Sequence, residues 1–532
     1  MRYRHFVFFL LTLMCLLGTV TASAAEKKSY DVKSVSQLEK AFADAKKNKI
    51  TEFTVTMSEK LYGDMMADDQ YALQREMMLC GTDRPGYYTY HSSSRRFEFS
   101  VTWTDGPAYT ADTKSALKDA VQRAVRKGIT RYTLILGRKL YAAMSADDFA
   151  AYSTLLGSLC VSRQSFTYYS ALHVIRVTDV TVPSSGKYVT TLEEAKEFIR
   201  KMSGKEMKEY CIFCSPSLYD KLLKEKVSGF GAKITRFSSL MNYNGVFDWH
   251  YRYNDSYHYI APYDLKYYPG YRILNAVSAG REGSLDSMDQ RALKAARKIV
   301  NGLDTSQYTG GMKVSRKAAA IAEALAVGTV YRIVDAADYD DCAFGPLLYG
   351  EANCDGYSDA FYLCAGLAGL NARMMQGYAL DPDDGSDATH VWNLLKTGGK
   401  WYLLDVTWCD SDPENRDYVQ IRFSNFLLGT DRIKKEYGYF KDAVPELAAK
   451  TLDSLMPWPV YRCKDFDGIR SALQTAVKGK QAQVLIRYGG TASMDEVYDT
   501  AKAFLTRQNR ISRWAVSWSG GQMVMQVKLT FR

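Results

Sequence analysis

A thiol, an imidazole and a carboxylate follow one another within one short stretch of the chain. Cys354 lies in GEANCDGYSDAF, His390 in THVWNLL and Asp405 in WYLLDVTW. These side chains are the parts of an activated nucleophile, in which the imidazole takes the thiol proton and the carboxylate orients the imidazole. Residues 281–457 contain four cysteines but only one histidine, so a base that works with a thiol there must be His390.

Among the four cysteines, Cys354 has the surroundings of a reactive thiol. Cys364 lies inside an apolar helix and is interpreted as a buried, inert residue. Residues 350–353 indicate a loop and residues 357–370 a helix, so Cys354 is expected at or just before a helix N-terminus. The helix dipole and the unpaired N–H groups there lower the pKa of a thiol and can hold a developing oxyanion.

His390 and Asp405 lie on two runs of alternating apolar and polar residues. Thr397, Lys400 and the two glycines between them predict a hairpin turn that sets the runs side by side as strands. Asp405 can then orient the ring while the other ring nitrogen faces the thiol. On spacing alone the alternative stays open, namely a buried cysteine, a strand-edge histidine and a strand-end aspartate in a chance order.

The residues around these three positions resemble the bacterial transglutaminase-like superfamily, a papain-like-fold group that includes the animal transglutaminases. The resemblance rests on G-x-x-x-C-D-G-Y-S, T-H-V-W-N and W-Y-L-L-D-V-T-W, and it continues through segments 317–334, 367–378 and 423–429. It covers about residues 283–455. It implies an α+β core in which a helix bearing the cysteine packs on an antiparallel sheet bearing the histidine and the aspartate.

The resemblance implies that Cys354 is the nucleophile, His390 the general base and acid, and Asp405 the orienting group. Cys354 would attack a carboxamide or peptide carbonyl, and the acyl-enzyme would pass to an amine or to water. The substrate would be a protein or peptide, with cell-surface and cell-wall material among the candidates. Neither a cofactor nor a metal ion is expected.

Three aromatic residues are predicted to contact the substrate. Trp392 and Trp408 are expected to wall the site and exclude water, and Tyr357 follows the nucleophile by three residues. The acidic run at 381–387, which precedes the histidine, is interpreted as a solvated turn because Asp-Gly is a turn signal. An acidic rim that favours cationic acyl acceptors is the alternative.

The first 24 residues have the pattern of a secretory signal peptide. Arg2 and Arg4 form the charged start, an apolar run follows, and small residues at 22–24 form a cleavage site. No other stretch is apolar enough to cross a bilayer. The mature chain is therefore expected to be secreted, with membrane contact only through the signal peptide before cleavage.

The composition fits an exported chain of several domains. Its 532 residues, 47% of them hydrophobic, are enough for several cores. The net charge of +10 is spread along the chain without a long basic run, so nucleic-acid binding has little support. Ten cysteines are too few for a disulfide scaffold. Cys211 and Cys214 have C-x-x-C spacing but are interpreted as core residues, because no second pair or nearby histidine completes a zinc site.

Repeated units flank the candidate catalytic segment. Residues 36–69 align without a gap with residues 115–148, and each unit is predicted as a helix, a strand, a second helix and a strand pair. More divergent copies begin near Thr190 and Phe466. The predicted organisation is a signal peptide at 1–24, small α+β modules at 30–105, 108–182, 187–280 and 458–532, and a catalytic domain at 281–457.

The third module carries an aromatic run at residues 247–253. It is interpreted as a strand pair that buries every second aromatic residue, with a sugar- or peptide-binding face as the alternative. Two further functions stay open for the whole chain. One is a cysteine peptidase that acts on protein or cell-wall peptide, and the other is a non-catalytic surface-binding protein that uses the repeated modules.

Overall fold

The computed structural model describes residues 27–83, 87–227, 234–332, 339–380, 387–410, 423–433, 436–519 and 524–532. The predicted signal peptide, nearly all of the acidic run and the glycines of a hairpin turn predicted at Ser519–Gly521 lie outside these residues. Inside them, every helix is too short or too polar to cross a membrane. The chain forms two compact units, Met1–Ser184 and Ser185–Arg532.

Helices and strands occur together in both units, so the fold is mixed α+β. The strands are β1 (Lys28–Val32), β2 (Glu52–Met57), β3 (Tyr88–His91), β4 (Arg96–Ser100), β5 (Ala108–Ala111), β6 (Tyr132–Leu136), β7 (Arg163–Tyr169), β8 (Val174–Thr181), β9 (Gly186–Val189), β10 (Cys211–Cys214), β11 (Val246–Asn254), β12 (Tyr259–Tyr267), β13 (Val330–Tyr331), β14 (Glu351–Ala352), β15 (Ala372–Leu380), β16 (Asp387–Thr397), β17 (Lys400–Leu404), β18 (Tyr437–Gly438), β19 (Val460–Cys463), β20 (Gln483–Tyr488), β21 (Ile511–Ser519) and β22 (Val524–Phe531). The α-helices are α1 (Val35–Lys47), α2 (Glu59–Leu79), α3 (Lys114–Arg126), α4 (Arg138–Ser145), α5 (Ala150–Ser158), α6 (Leu192–Ser203), α7 (Pro216–Leu223), α8 (Arg236–Tyr243), α9 (Pro269–Ser278), α10 (Ser287–Asn301), α11 (Lys313–Gly328), α12 (Cys354–Leu367), α13 (Val406–Cys409), α14 (Thr430–Ile433), α15 (Phe466–Lys478) and α16 (Met494–Thr506).

Four sheets of the described chain share one strand order, in which the first strand lies beside the second, the second beside the fourth and the fourth beside the third. They are formed by β1–β4, β5–β8, β9–β12 and β19–β22. In each sheet the first two strands are parallel and the other pairs are antiparallel. A parallel pair needs a crossover, and one helix supplies it each time. Each repeated module is predicted from sequence to begin at this crossover helix. The structure shows that a short strand precedes the helix in every module.

The aromatic run at 247–253 is the strand β11, paired with β12 as predicted, but the predicted burial of every second aromatic residue is wrong. Tyr251 and Tyr253 are 42% and 58% exposed. The register shifts twice between Val246 and His250. Such shifts bend a strand and disturb the alternation of its faces, on which the prediction depended.

The sheet that concerns the site is antiparallel, in the order β17-β16-β15-β18. The predicted hairpin joins β16 to β17, and Gly398 and Gly399 both have positive φ there, at 58° and 79°. A two-residue turn with positive φ at both positions matches the twist of a hairpin. Apolar residues recur at helical spacing in 287–300 and 314–327, which predicts two helices from the sequence, and these are α10 and α11.

Helix α12 lies at the centre of the second unit, with α9, α10 and α11 on one side and strands β15 and β16 on the other. A buried cluster around Phe361 of this helix extends to Leu485 and Val524 of the last sheet. A second cluster joins Phe237 and Tyr267 to Trp392 of β16. Residues 185–280 therefore share a hydrophobic core with the sheet next to α12.

Candidate active site

Cys354 is the first residue of helix α12, where the sequence predicts it. Asn353 is the N-cap, and its Oδ1 accepts hydrogen bonds from the N–H groups of Asp355 at 2.9 Å and Gly356 at 3.3 Å. A side-chain cap of this kind satisfies donors that a helix start leaves unpaired. Two of the N–H groups that the sequence offers to an oxyanion are thus already taken up by Asn353.

Two buried hydrogen bonds hold the cysteine helix against the histidine strand. Ser358 of α12 donates from Oγ to the carbonyl oxygen of Val391 at 3.0 Å. Asn393 of β16 donates from Nδ2 to the carbonyl oxygen of Ser358, also at 3.0 Å. Both side chains are fully buried. Because buried polar groups are costly to leave unpaired, these bonds fix how far α12 can slide along β16.

His390 and Asp405 meet across the hairpin. His390 Nε2 lies 2.7 Å from Asp405 Oδ2. The same carboxylate oxygen accepts a hydrogen bond from the hydroxyl of Tyr437 at 2.9 Å, and Oδ1 accepts one from the backbone N–H of Trp408 at 3.0 Å. Asp405 is completely buried. A buried carboxylate that accepts three hydrogen bonds is held in one orientation, and it leaves Nδ1 of the imidazole to face the thiol.

The thiol of Cys354 and the ring of His390 are both buried, and each acts on the ionisation of the other. Burial raises the pKa of Cys354, and it outweighs His390, whose charge and hydrogen bond act to lower that pKa. Burial alone lowers the pKa of His390, but the charges of Asp405 and Cys354 overcome this and hold the pKa well above its usual value. A helix N-terminus acts to lower the pKa of a thiol, but at Cys354 burial outweighs this effect. The raised pKa of His390 suits the imidazole to retain a proton that it takes from the thiol.

Aromatic rings enclose the imidazole. Trp408 stacks on His390 with ring centroids 4.7 Å apart, and Trp392 lies 6.0 Å away on the same strand as the histidine. Tyr437 packs edge-on against Trp392 at 5.0 Å. These rings keep water from the imidazole and its carboxylate, which strengthens the electrostatic attraction between them.

The three residues predicted to contact the substrate differ in exposure. Trp408 is partly exposed, but Trp392 and Tyr357 are fully buried. The hydroxyl of Tyr357 donates to the carbonyl oxygen of Thr329 at 3.1 Å and to Asp410 Oδ2 at 3.2 Å. In this structure Trp392 and Tyr357 therefore present no surface to a substrate, and both support the site by packing beneath it.

Several residues that build the site were not singled out from the sequence. Ser358 and Asn393 lie inside the quoted motifs. A polar residue among apolar neighbours in a predicted helix or strand could have identified both as residues that support the site. Tyr437 and Asn425 carry no such signal, although Asn425 Nδ2 donates to the Tyr437 hydroxyl at 3.1 Å and so holds it for Asp405. Asp355, which follows the nucleophile in the sequence, was not singled out either.

The described residues hold no cluster of three or more His, Cys, Asp or Glu side chains that could bind a metal ion. The nine cysteines from Cys80 to Cys463 all fall within the described ranges, and no disulfide joins any two of them. Cys211 and Cys214 are buried in β10, in agreement with the core role predicted for them.

Comparison with known proteins gives a local match. Residues 301–406 match the family described as the Transglutaminase-like superfamily. Over 87 residues, the chain is 32% identical to the Kyphoscoliosis peptidase of Homo sapiens, a stretch that covers 15% of this chain and 13% of the human protein. The chain therefore spans only a small part of the length of this relative.

Two solved structures show distant similarity. The crystal structure of a TGase is 14% identical, with a TM-score of 0.20, and the similarity covers 43% of this chain and 60% of that one. The periplasmic domain of TgpA from Pseudomonas aeruginosa, bound to ethylmercury, is 17% identical, with a TM-score of 0.17 and coverage of 28% and 55%.

Proposed function

Residues 301–406 form a transglutaminase-like core domain, and from this premise we propose that the protein is an exported, thiol-dependent acyl-transfer enzyme. Cys354 is its nucleophile, His390 its general base and acid, and Asp405 the residue that orients the imidazole. The observation that carries the proposal is the position of His390, whose Nε2 lies 2.7 Å from Asp405 Oδ2 and whose ring acts on the ionisation of the buried Cys354 thiol.

The first half of the reaction forms an acyl-enzyme. Nδ1 of His390 takes the Sγ proton, and the thiolate attacks the carbonyl carbon of a carboxamide or peptide bond. The N–H groups of Asp355 and Gly356 already donate to Asn353 Oδ1. The developing oxyanion therefore accepts a hydrogen bond from the backbone N–H of Cys354. His390 then donates its proton to the leaving amine, the C–N bond breaks, and a thioester remains on Cys354.

The second half returns the thiol. An amine or a water gives a proton to His390 and attacks the thioester carbonyl, and the S–C bond breaks as Cys354 regains its proton. An amine acceptor gives a new amide and so a crosslink, whereas water gives hydrolysis. Hydrolysis is the second candidate, because the human relative with 32% identity over the matched stretch carries the name peptidase.

We propose that the reaction takes place outside the cytoplasm. The support for this proposal is the charged, apolar and small-residue pattern of residues 1–24. The substrate is a protein or peptide, and surface or cell-wall material fits an exported enzyme. The four sheets of common strand order support the further proposal that residues 30–105, 108–182, 187–280 and 458–532 are copies of one module.

The experiment compares the mature protein with Cys354→Ala, and with Cys80→Ala as a matched loss of a thiol in the other unit. Each is incubated with a glutamine-rich protein mixture and a tagged primary amine, and the products are read by mass spectrometry. Amine incorporation that is lost only in Cys354→Ala establishes transamidation. Cleaved or deamidated products without incorporation identify water as the acceptor. Products that persist in Cys354→Ala would contradict the proposal.

A further inference from the structure

Asp355 lies between the nucleophile and a tyrosine from outside the core domain. Its Oδ2 accepts a hydrogen bond from the thiol of Cys354, with 3.6 Å between Sγ and Oδ2. Its Oδ1 accepts a hydrogen bond from the hydroxyl of Tyr268. The Tyr268 oxygen in turn accepts a bond from Nδ2 of Asn242 at 3.0 Å. Tyr268 and Asn242 are each 1% exposed, so this chain of hydrogen bonds is shielded from water.

We propose that Asp355 is a positioning residue that controls the direction and the ionisation of the Cys354 thiol, and that Tyr268 and Asn242 act on the thiol through it. The inference rests on the proposed function, because it assigns a second partner to the proposed nucleophile. It also makes residues 185–280, which precede the matched segment, a part of the reaction centre.

The thiol has one hydrogen, which it donates to the Asp355 carboxylate in this structure, and the His390 imidazole is the second group that acts on its ionisation. Donated to Asp355, the hydrogen stays on sulfur, because a carboxylate beside it opposes the negative charge of a thiolate. Donated to Nδ1 of His390, the hydrogen can be transferred, and the sulfur becomes a nucleophile. The carboxylate therefore competes with the imidazole, and neutralising it shifts the balance toward the reactive ion pair.

Within the described part of the chain, the titratable groups that act on Asp355 are Cys354, Tyr268, Asp341 and His390. Burial raises the pKa of Asp355 to about 6, and the charge of Asp341 adds to the rise. The hydrogen bonds from Tyr268 and Cys354 and the charge of His390 act in the opposite direction. Asp355 consequently changes its charge in the range where such an enzyme works, and the Tyr268 hydroxyl favours the charged form.

The position of Tyr268 is itself fixed by packing. Phe247 of β11 lies against its ring, with 5.2 Å between centroids. Two residues further on, the N–H of Gly270 donates to Asp359 Oδ2 at 3.1 Å, which ties the start of α9 to the cysteine helix. The hydroxyl is thus held at Asp355 by two contacts that do not involve the thiol.

The test measures alkylation of Cys354 by iodoacetamide between pH 5 and pH 10 in the full mature chain, resolved by peptide mass spectrometry. Asp355→Asn removes the charge and can present an N–H to sulfur. Its thiol should titrate about one pKa unit lower, so that it is alkylated about tenfold faster near neutral pH. Asp467→Asn is the control, because it removes a carboxylate of the same unit whose side chain is 91% exposed. This control should leave the pH dependence of Cys354 alkylation unchanged.

Tyr268→Phe tests the route through the carboxylate. Without the hydroxyl, the pKa of Asp355 should rise, and alkylation near pH 6 should become faster. In the Asp355→Asn background the same change should have no effect on the profile, because the group through which it acts is gone. Equal effects in both backgrounds would show that Tyr268 acts by another route and would overturn that part of the inference.

An alkylation profile in Asp355→Asn that matches the wild type, or shifts to higher pH, overturns the inference when the melting temperature is unchanged. If Asp355→Asn does not fold, an unchanged profile in Tyr268→Phe overturns it as well. Because alkylation needs no substrate, the shift can be read even if no acyl transfer is found. A wild-type Cys354 that reacts no faster than Cys364 would instead count against the proposed function.

Discussion

The indole of Trp408 stacks on the imidazole of His390, with 4.7 Å between ring centroids and 22° between the ring planes. The backbone N–H of the same tryptophan donates to Oδ1 of Asp405 at 3.0 Å, while Oδ2 of that carboxylate binds the edge of the imidazole. One residue thus supports both the face of the ring and its carboxylate partner. Trp408 can make both contacts because it lies in the four-residue helix α13, which Asp405 caps.

Asp405→Asn should abolish most of the activity without unfolding the protein. The amide can still cap α13, but it removes the charge that holds a proton on His390, so the pKa of His390 should fall toward its usual value. We expect the rate of acyl transfer to drop by about 10³-fold or more, as when the carboxylate of a comparable triad is replaced. The rate and the NMR titration of the His390 ring measure the two effects.

A control for this change is Asp410→Asn, which alters another buried acid at the end of the same short helix. Asp410 accepts from the Tyr357 hydroxyl at 3.2 Å rather than from the imidazole. Its replacement should keep the activity within a few-fold of the wild type. Near wild-type turnover in Asp405→Asn would remove Asp405 from the mechanism.

Tyr437→Phe should weaken the site while keeping its packing. The ring contacts with Trp392 and Trp408 remain, but Asp405 Oδ2 loses the hydroxyl donor at 2.9 Å. A hydrogen bond to a charged group contributes about 1.5–3 kcal/mol, so we expect a loss of roughly tenfold or more in turnover. The pKa of His390 should rise further, because the carboxylate is less neutralised.

The measurements are steady-state turnover and the His390 titration, with Tyr439→Phe as a control on a neighbouring tyrosine. Burial raises the pKa of Tyr439 to about 12, and its ring packs against the same buried cluster. If the two variants reduced turnover equally, the hydrogen bond from Tyr437 to Asp405 would have no special role.

The parts of the site with local signals could be predicted from the sequence. A loop followed by an apolar helix predicts the position of Cys354, and two glycines between alternating runs predict the hairpin that brings His390 to Asp405. Tyr437 could not be found in this way, because β18 is a two-residue strand with no periodic pattern. Tyr268 could not be found either, since its contact with Asp355 joins residues 87 positions apart. Tertiary packing alone determines such pairs.

The first strands of the four similar sheets escaped prediction for a related reason. In β1, for example, only the last of five residues is buried. An exposed edge strand lacks the alternation of apolar and polar residues by which strands are recognised. Its place is determined by parallel pairing with β2, a contact that local sequence does not encode.

Gly377→Ala should destabilise the sheet beside the site. Gly377 pairs with His390 across β15 and β16, and a Cβ there would lie 2.4 Å from the ring of Trp392 and 2.4 Å from the carbonyl oxygen of Gly438. Overpacking of this kind costs about 1–3 kcal/mol. Urea unfolding measures the cost, and Gly328→Ala is the control, because a Cβ at that helix end meets no atom within 4 Å. Equal stability of the two variants would contradict the close contact with Trp392.

The buried carboxyl of Asp359 should make stability fall as the pH rises. Its Oδ2 accepts hydrogen bonds from the N–H groups of Gly270 and Ala343, but burial raises its pKa from 3.8 to about 7. Between these two values the folded chain holds a proton that the unfolded chain has released. Stability therefore decreases from about pH 4 to about pH 7 and is not lowered further by this group above that range.

Asp359→Asn cannot titrate, so its free energy of unfolding should improve relative to the wild type by roughly 2–4 kcal/mol between pH 4 and pH 7. Urea unfolding followed by tryptophan fluorescence is a suitable measurement, because every tryptophan except Trp103 lies in the second unit. Asp467→Asn, at a side chain that is 91% exposed, is the control and should show no such trend. A constant difference between Asp359→Asn and the wild type across this range would mean that Asp359 is ionised throughout, and that its two backbone donors outweigh the effect of burial.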